Sequence, residues 1–287
     1  MSVLNIPFDE YRELDLMNAS VLVKGRKSMK ELRHAKEVGF VATDKMRFGS
    51  GVHCLLLEPE QFDATYAVVP DFHLDRGNLT KDGEQSTSKA TKYVKAKVAE
   101  FKEANKDKEF LPHEDVEKAK RMIEAIRNHP SANMWFEDSK KEVTILGEIE
   151  GLRFKGRIDL FGRAIVDLKN TNNASPFAFG GIFARLRYDM RLAIYRELAR
   201  QHDGKVRDVY IIAQEDSEPF DTVVYPIQSP VLDNAIDQVK GLVREYKKCV
   251  ATDEWPGIDK GEDYVELHLP QWFYGEDQED GLDWSDE

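Results

Sequence analysis

Two aspartates interrupt what otherwise reads as a hydrophobic hairpin. The run "KGRIDLFGRAIVDLKN", Lys155 to Asn170, carries Asp159 and Asp167 among Ile158, Leu160, Ile165, Val166 and Leu168, with Lys169 directly after. Strand interiors are depleted in Asp, and a carboxylate inside an apolar sheet must be paired or bound to a metal, so this stretch constrains fold and function together. Strand side chains alternate faces, which puts Asp167 and Lys169 on one face and groups Lys155, Arg157 and Asp159 on one face of the preceding strand. The turn decides whether the aspartates meet. A two-residue loop sets Asp159 opposite Val166, whereas a three-residue Gly162-Arg163-Ala164 loop sets it opposite Asp167. Side-by-side carboxylates repel unless neutralised, and hard oxygen ligands so placed suit Mg²⁺ or Mn²⁺; an adjacent lysine can orient water or stabilise charge on a phosphate. D-x-K alone recurs by chance as a surface ion pair, but its setting here points to phosphodiester hydrolysis.

The period of two extends upstream: "EVTILGEIEGLRFKGRIDLFGRAIVDLKN", residues 142–170, reads as three consecutive strands with turns near Glu150-Gly151 and Gly162-Arg163. A helix over about 180–201, strands "DVYIIAQ" and "TVVYPI", and a helix over 231–250 follow. Before the strands, residues 16–37 predict two short helices, capped at Asn18 or Ser20 and broken at Gly25. "RFGSGVHCLLLEPEQF" predicts a buried helix ended by Pro59, with His53 in its first turn. Residues 73–95 are polar and rich in Gly, Ser and Thr, the composition of a mobile loop; helical patterns return over 89–105 and 113–128.

The chain of 287 residues is long enough for one elaborated domain, and its net charge of −12 excludes a protein coated in positive charge. The sign is not uniform. Lys24, Arg26, Lys27, Lys30, Arg33 and Lys36 face only Glu31 between positions 24 and 36, which is either a solvated helix face or a phosphate-contacting one. No run of 18 apolar residues offers a membrane span, and "MSVLNIPFDEYREL" lacks the layout of a signal peptide, so a cytoplasmic protein is expected. Cys54 and Cys249 are too few for a four-cysteine metal site and read as structural thiols.

These residues resemble a known family. "GRIDLF…IVDLK" is similar to the core of the PD-(D/E)xK nuclease superfamily. More narrowly, "TDKMRFGSGVHCLLLEPEQFDATYAVVP", then "EVTILGEIEGLRFKGRIDLFGRAIVDLKNTNNASPFAF" and "RYDMRLAIYRE" resemble, in order over about residues 15–200, the nuclease domain of RecE-type exonucleases. The resemblance implies an α/β (α+β) restriction-endonuclease-like core, a central mixed sheet flanked by helices with an N-terminal helical elaboration. One domain would span 1–273, with the helical part at about 1–135 and the catalytic core at about 136–273. It further implies Asp159 and Asp167 as metal ligands, the Leu168 carbonyl as a further ligand and Lys169 as the catalytic lysine. His53 would approach the metal from an N-terminal helix, and Glu142 matches an acidic position at the start of the first strand. A Q-x-x-x-Y motif has Arg191 in place of glutamine, with Tyr195 retained and Tyr188 before it; at i, i+3 and i+7 the three share a helix face, where the arginine fork can hold phosphate.

The activity so implied is a Mg²⁺-dependent exonuclease, with Mn²⁺ substituting, that degrades one strand of linear duplex DNA 5′ to 3′ and leaves 3′ overhangs for recombination. Lys27 and Lys30 would contact phosphates without reading sequence. The alternatives are an endonuclease or structure-specific nuclease on the same fold, and a catalytically silent DNA-binding accessory protein. The resemblance also brings ring assemblies as a homo-oligomer, while the acidic net charge suits a soluble monomer equally. Residues 274–287, "YGEDQEDGLDWSDE", predict a disordered acidic tail, either a solubilising brush or a docking peptide, for a recombination partner such as a single-strand annealing protein or for this protein's own DNA channel, where it would mimic phosphate.

Overall fold

The computed structural model describes residues 2–4, 6–39 and 42–269. Ahead of the hairpin lie β1 (Ser2–Leu4), α1 (Phe8–Glu13), α2 (Ala19–Leu22), α3 (Met29–Val38), α4 (Asp44–Leu57) and α5 (Phe62–Thr65). They are followed by β2 (Tyr66–Val69), α6 (Lys92–Ala104), β3 (Glu109–Pro112), α7 (His113–Asn128) and α8 (Pro130–Glu137). Then come β4 (Lys140–Ile149), β5 (Leu152–Phe161), β6 (Ile165–Thr171), α9 (Pro176–Leu186), α10 (Tyr188–Asp203), β7 (Val209–Glu215), β8 (Thr222–Ile227) and α11 (Ser229–Thr252).

Six strands form one sheet in the order β1-β4-β5-β6-β7-β8. Its pairs are antiparallel except β6 with β7, which run parallel because α9 and α10 carry the chain across between them. Residues Phe154–Phe161 and Ile165–Leu168 are buried without a break, so helices must cover both faces. On one side Ile165, Ile211 and Ala213 pack with Leu192 and Leu198 of α10 and Val239 and Val243 of α11. On the other, Leu160, Val166, Leu168 and Ile212 meet Leu56 and Leu57 of α4, Ile126 of α7 and Trp135 and Phe136 of α8. Each such side chain contributes about 1.5–3 kcal/mol over its exposed state. The sheet is mixed and flanked by helices, as the resemblance implies.

Local signals explain the frame. Glu150 and Gly151 both have positive φ, 51° and 74°, which a two-residue hairpin turn requires. Asn18 Oδ1 caps α2 by accepting from Val21 N–H at 3.0 Å, and Ser28 Oγ caps α3 by accepting from Glu31 N–H at 3.1 Å.

Three expectations change. His53 lies in the second half of α4, not its first turn, because Thr43 caps the helix well upstream of the two glycines. The helix expected over 180–201 is two helices, broken at Arg187 with φ 54°. No Gly or Pro marks that break; the Arg187 fork binds Asp189 at 2.9 and 2.7 Å and Gln238 at 2.9 Å, and these tertiary bonds hold the left-handed residue. The polar stretch after residue 73 is organised around the buried Asn78 side chain, whose Nδ2 donates to the carbonyls of His73, Ser86 and Ser88 at 2.9, 2.8 and 3.3 Å. Turn-forming residues satisfied the backbone there in place of solvent. Strands β1, β2 and β3 and helix α8 carry no clear periodic signal; β1 and the parallel pair β2–β3 are three or four residues long. No helix among the described residues is long and apolar enough to cross a membrane. The acidic segment 274–287 lies outside the described residues.

Candidate active site

The turn between β5 and β6 is the three-residue one. Leu160 pairs with Val166 and Phe161 with Ile165, leaving Gly162, Arg163 and Ala164 as the loop and setting Asp159 level with Asp167. Gly162 is needed there, since a Cβ would lie 2.8 Å from the Asp138 carbonyl oxygen. The ladder stops after those two pairs, and the Leu168 N–H donates instead to Asp159 Oδ2 at 2.6 Å. An aspartate therefore replaces a strand partner, which accounts for its presence in an apolar hairpin.

Glu142 is on β4, level with Asp159 on the other side of β5; the pairing skips it between Lys141–Leu160 and Val143–Ile158. Its φ of 51° is unusual in a strand and re-aims the side chain. Glu142 Oε2 accepts from Arg157 Nε at 2.5 Å, and Arg157 Nη2 donates to Glu58 Oε2 at 3.0 Å. From α4, His53 Nδ1 stands 3.9 Å from Glu142 Oε1 and 3.9 Å from Asp159 Oδ1. Lys169 forms an ion pair with Asp167, its ammonium 3.1 Å from the Leu168 carbonyl and 5.3 Å from the centre of the Tyr188 ring. Arg191 donates to Ser20 Oγ at 2.9 Å on α2. Tyr195 packs on Gly156, where a Cβ would meet its ring at 2.8 Å.

The electrostatics match a cationic ligand. Burial, with Asp167 nearby, pushes the Asp159 carboxyl up to about 6 against the pull of His53 and Lys169. For His53 burial works downward, but Asp159 and Glu142 outweigh it and hold the imidazole above its ordinary range. Burial also opposes ionisation of Glu142, yet the charges of His53 and Arg157 hold it below the usual carboxylate range. At 3.9 Å the His53 contact is not a hydrogen bond, so the Arg157 bond at 2.5 Å is the stronger support.

His53, Glu142 and Asp159 each direct one ligand atom into a space where the three lie within 4.8 Å of one another. Ligands about 2.1 Å from Mg²⁺ stand about 3 Å apart when adjacent and about 4.2 Å when opposite, so small side-chain movements would close this set on one ion. Asp167 Oδ2 is buried and has no hydrogen bond of acceptable geometry, only the Lys169 charge, which leaves a further oxygen in need of a cation. The donors are mostly hard oxygens, and a divalent metal fits them.

Residues 25–267 match the family described as "PDDEXK-like domain of unknown function (DUF3799)". This chain belongs to that family. No curated protein matches it. Among solved structures it resembles a "putative exonuclease" from Eubacterium rectale, with a TM-score of 0.60 at 15% identity over 95% of this chain and 98% of that one. At that identity the likeness concerns the fold. The structure of SSO0001 is a more distant match, with a TM-score of 0.30 at 13% identity over 74% of this chain and 87% of that one.

In this PDDEXK-like domain Asp159, Asp167, Lys169, His53 and Glu142 come together, with Tyr188 beside Lys169. Lys27 and Lys30 do not join them. Lys27 pairs with Glu31 at 2.6 Å, and the Lys30 N–H donates to the Pro256 carbonyl at 3.1 Å. Nearby Arg33 pairs with Glu37 at 2.7 Å and Asp253 at 3.1 Å, acids that a count over positions 24–36 omits. Arg157 and Glu58 are site neighbours that the sequence reading passed over. Arg157 shares the alternating face of Asp159, and this was the signal that pointed to it.

Proposed function

We propose that this protein is a divalent-metal-dependent exodeoxyribonuclease that hydrolyses one strand of linear duplex DNA from its 5′ end, with Mg²⁺ as the natural ion and Mn²⁺ able to replace it. The observation that carries the reading is the convergence of Asp159, Asp167 and Lys169 from two strands with His53 and Glu142 around one cation-sized space. A binding module gains nothing from that cluster. Polarity, duplex preference and 3′ overhangs rest on the resemblance of the sequence blocks to RecE-type nucleases. So do a ring assembly and recombination with a single-strand annealing partner.

Glu142 Oε1, Asp159 Oδ1 and His53 Nδ1 would hold the ion, with Asp167 and the Leu168 carbonyl completing the set. When bound, the ion would polarise the scissile phosphate and acidify a bound water. Asp167 holds the Lys169 ammonium against the strand end, where it can donate to the attacking water and keep it in line. Tyr188 and Arg191 sit on the side where the phosphate chain would pass, the arginine offering a second fork to a neighbouring phosphate. Lys27 and Lys30 would serve outlying phosphates.

The test is digestion of linear duplex labelled at the 5′ or the 3′ end, with Mg²⁺, beside covalently closed circles. Release of 5′ label as mononucleotides with the circle intact supports the proposal; cleavage of the circle would make the enzyme an endonuclease.

A further inference from the structure

Arg157 is nearly inaccessible to solvent, and its guanidinium is engaged at three nitrogens. Nε donates to Glu142 Oε2 at 2.5 Å, Nη2 to Glu58 Oε2 at 3.0 Å and Nη1 to the Ile6 carbonyl at 2.9 Å. The partners belong to three parts of the fold: Glu142 to β4, Glu58 to the C-cap of the helix that carries His53, and Ile6 to the segment entering α1. With Oε2 held by Arg157, the oxygen that Glu142 turns to the site is Oε1, 3.9 Å from His53 Nδ1. Asp159 is treated alike, since Oδ2 is held by the Leu168 N–H and Oδ1 faces His53 at 3.9 Å. Each acid thus has one oxygen anchored by protein and one directed at the same histidine nitrogen.

The backbone needs such an anchor. A non-glycine residue at φ 51° inside a strand is strained and persists only where its surroundings hold it.

We propose that Arg157 is a positioning residue for the metal centre. It fixes Glu142 as a ligand through Oε1 alone and, by tying Glu58 to the sheet, sets the distance from α4, and hence His53, to the two acids. This rests on the reading of the site as a divalent-metal centre. A lysine supplies the charge but not the fork, so it cannot hold both glutamates in these directions.

Mn²⁺ binding to the full chain without DNA, measured by calorimetry, tests the proposal. Arg157→Lys should melt cooperatively with an unchanged far-ultraviolet spectrum, yet raise the Mn²⁺ Kd about ten- to a hundredfold. Combined with Glu142→Gln it should weaken binding by less than the product of the two single losses, because the tie through Glu142 is then already gone while the tie through Glu58 remains. An unchanged Kd in Arg157→Lys, or losses that simply add, would overturn the proposal. Should Arg157→Lys not fold, Glu58→Gln decides: it keeps the Arg157–Glu142 bond while loosening the tie to α4, and a several-fold rise in Kd supports the proposal, whereas wild-type affinity sinks it. Failure of the metal reading is separate, because wild-type protein would then bind no Mn²⁺ at all.

Discussion

Asp167, buried, and Lys169, half-buried, form an ion pair midway along β6, where neither side chain supplies much core volume. Removing the lysine or the acid should therefore cost chemistry more than folding. Lys169→Ala and Asp167→Ala are each expected to lower nuclease turnover by a factor of about 10² or more, with melting temperatures within a few degrees of wild type; near-normal cleavage by either would sink the assignment. Asp159 makes a prediction about stability. Its carboxyl titrates near 6 in the fold against an ordinary 3.8, so the folded state binds the proton more tightly, and stability falls as pH rises from about 4 to about 6. His53, raised in the fold, acts in the same direction as it loses its proton. Without metal, Asp159→Asn should then raise the melting temperature at pH 8 and leave it nearly unchanged at pH 4. Added Mg²⁺ should stabilise wild-type protein more at pH 8 than at pH 5, since the ligand form is the ionised one. A wild-type melting curve independent of pH, or a destabilised Asp159→Asn, would count against this account.

At the scale of elements, the β5–β6 loop decides whether the site exists. Gly162 approaches the Asp138 carbonyl too closely for any side chain, so Gly162→Ala must push the loop away from α8 and disturb the register that aligns Asp159 with Asp167. We expect a destabilisation of about 1–3 kcal/mol, read by denaturant unfolding, together with lost activity. If the variant is as stable as wild type, the loop has room that the geometry does not allow. The break at Arg187 matters similarly. It lets α10 begin at Tyr188, beside Lys169, and turns Arg191 and Tyr195 along the same face. Arg191→Gln, which loses a charge but keeps a donor for Ser20, should retain the fold and weaken DNA binding most at low salt. A loss independent of salt would mean that the arginine supports structure.

Over the whole molecule the charge is −12, so on the proposed reading DNA would approach through local fields such as that around Lys169, Arg185 and Arg191. Leu56 and Leu57 of α4 sit in one cluster with Leu160, Val166 and Leu168 of the hairpin, so the helical N-terminal part and the strand-bearing part share core. We expect one cooperative unfolding transition, by calorimetry and by fluorescence alike, for the chain over 1–273. Two separated transitions would divide it into two domains.

The hairpin itself was legible, because alternation, the Glu150-Gly151 turn and acids in an apolar run are all local. The D…D-x-K spacing and the apolar periods of α7, α10 and α11 are local as well, and they mark strands and helices without reference to distant residues; the mixed sheet between helices was implied by the family resemblance. Local pattern left the turn length open, and with it the meeting of Asp159 and Asp167; the pairing of Leu160 with Val166 and Phe161 with Ile165 settled that. It had no means of finding the Arg157–Glu142–Glu58 linkage, the break at Arg187 or the polar core around Asn78. Each depends on partners brought from 15 to 99 residues away, or on a buried amide satisfying several carbonyls at once. Sequence spacing encodes which face a side chain takes, but only tertiary packing decides what stands opposite it.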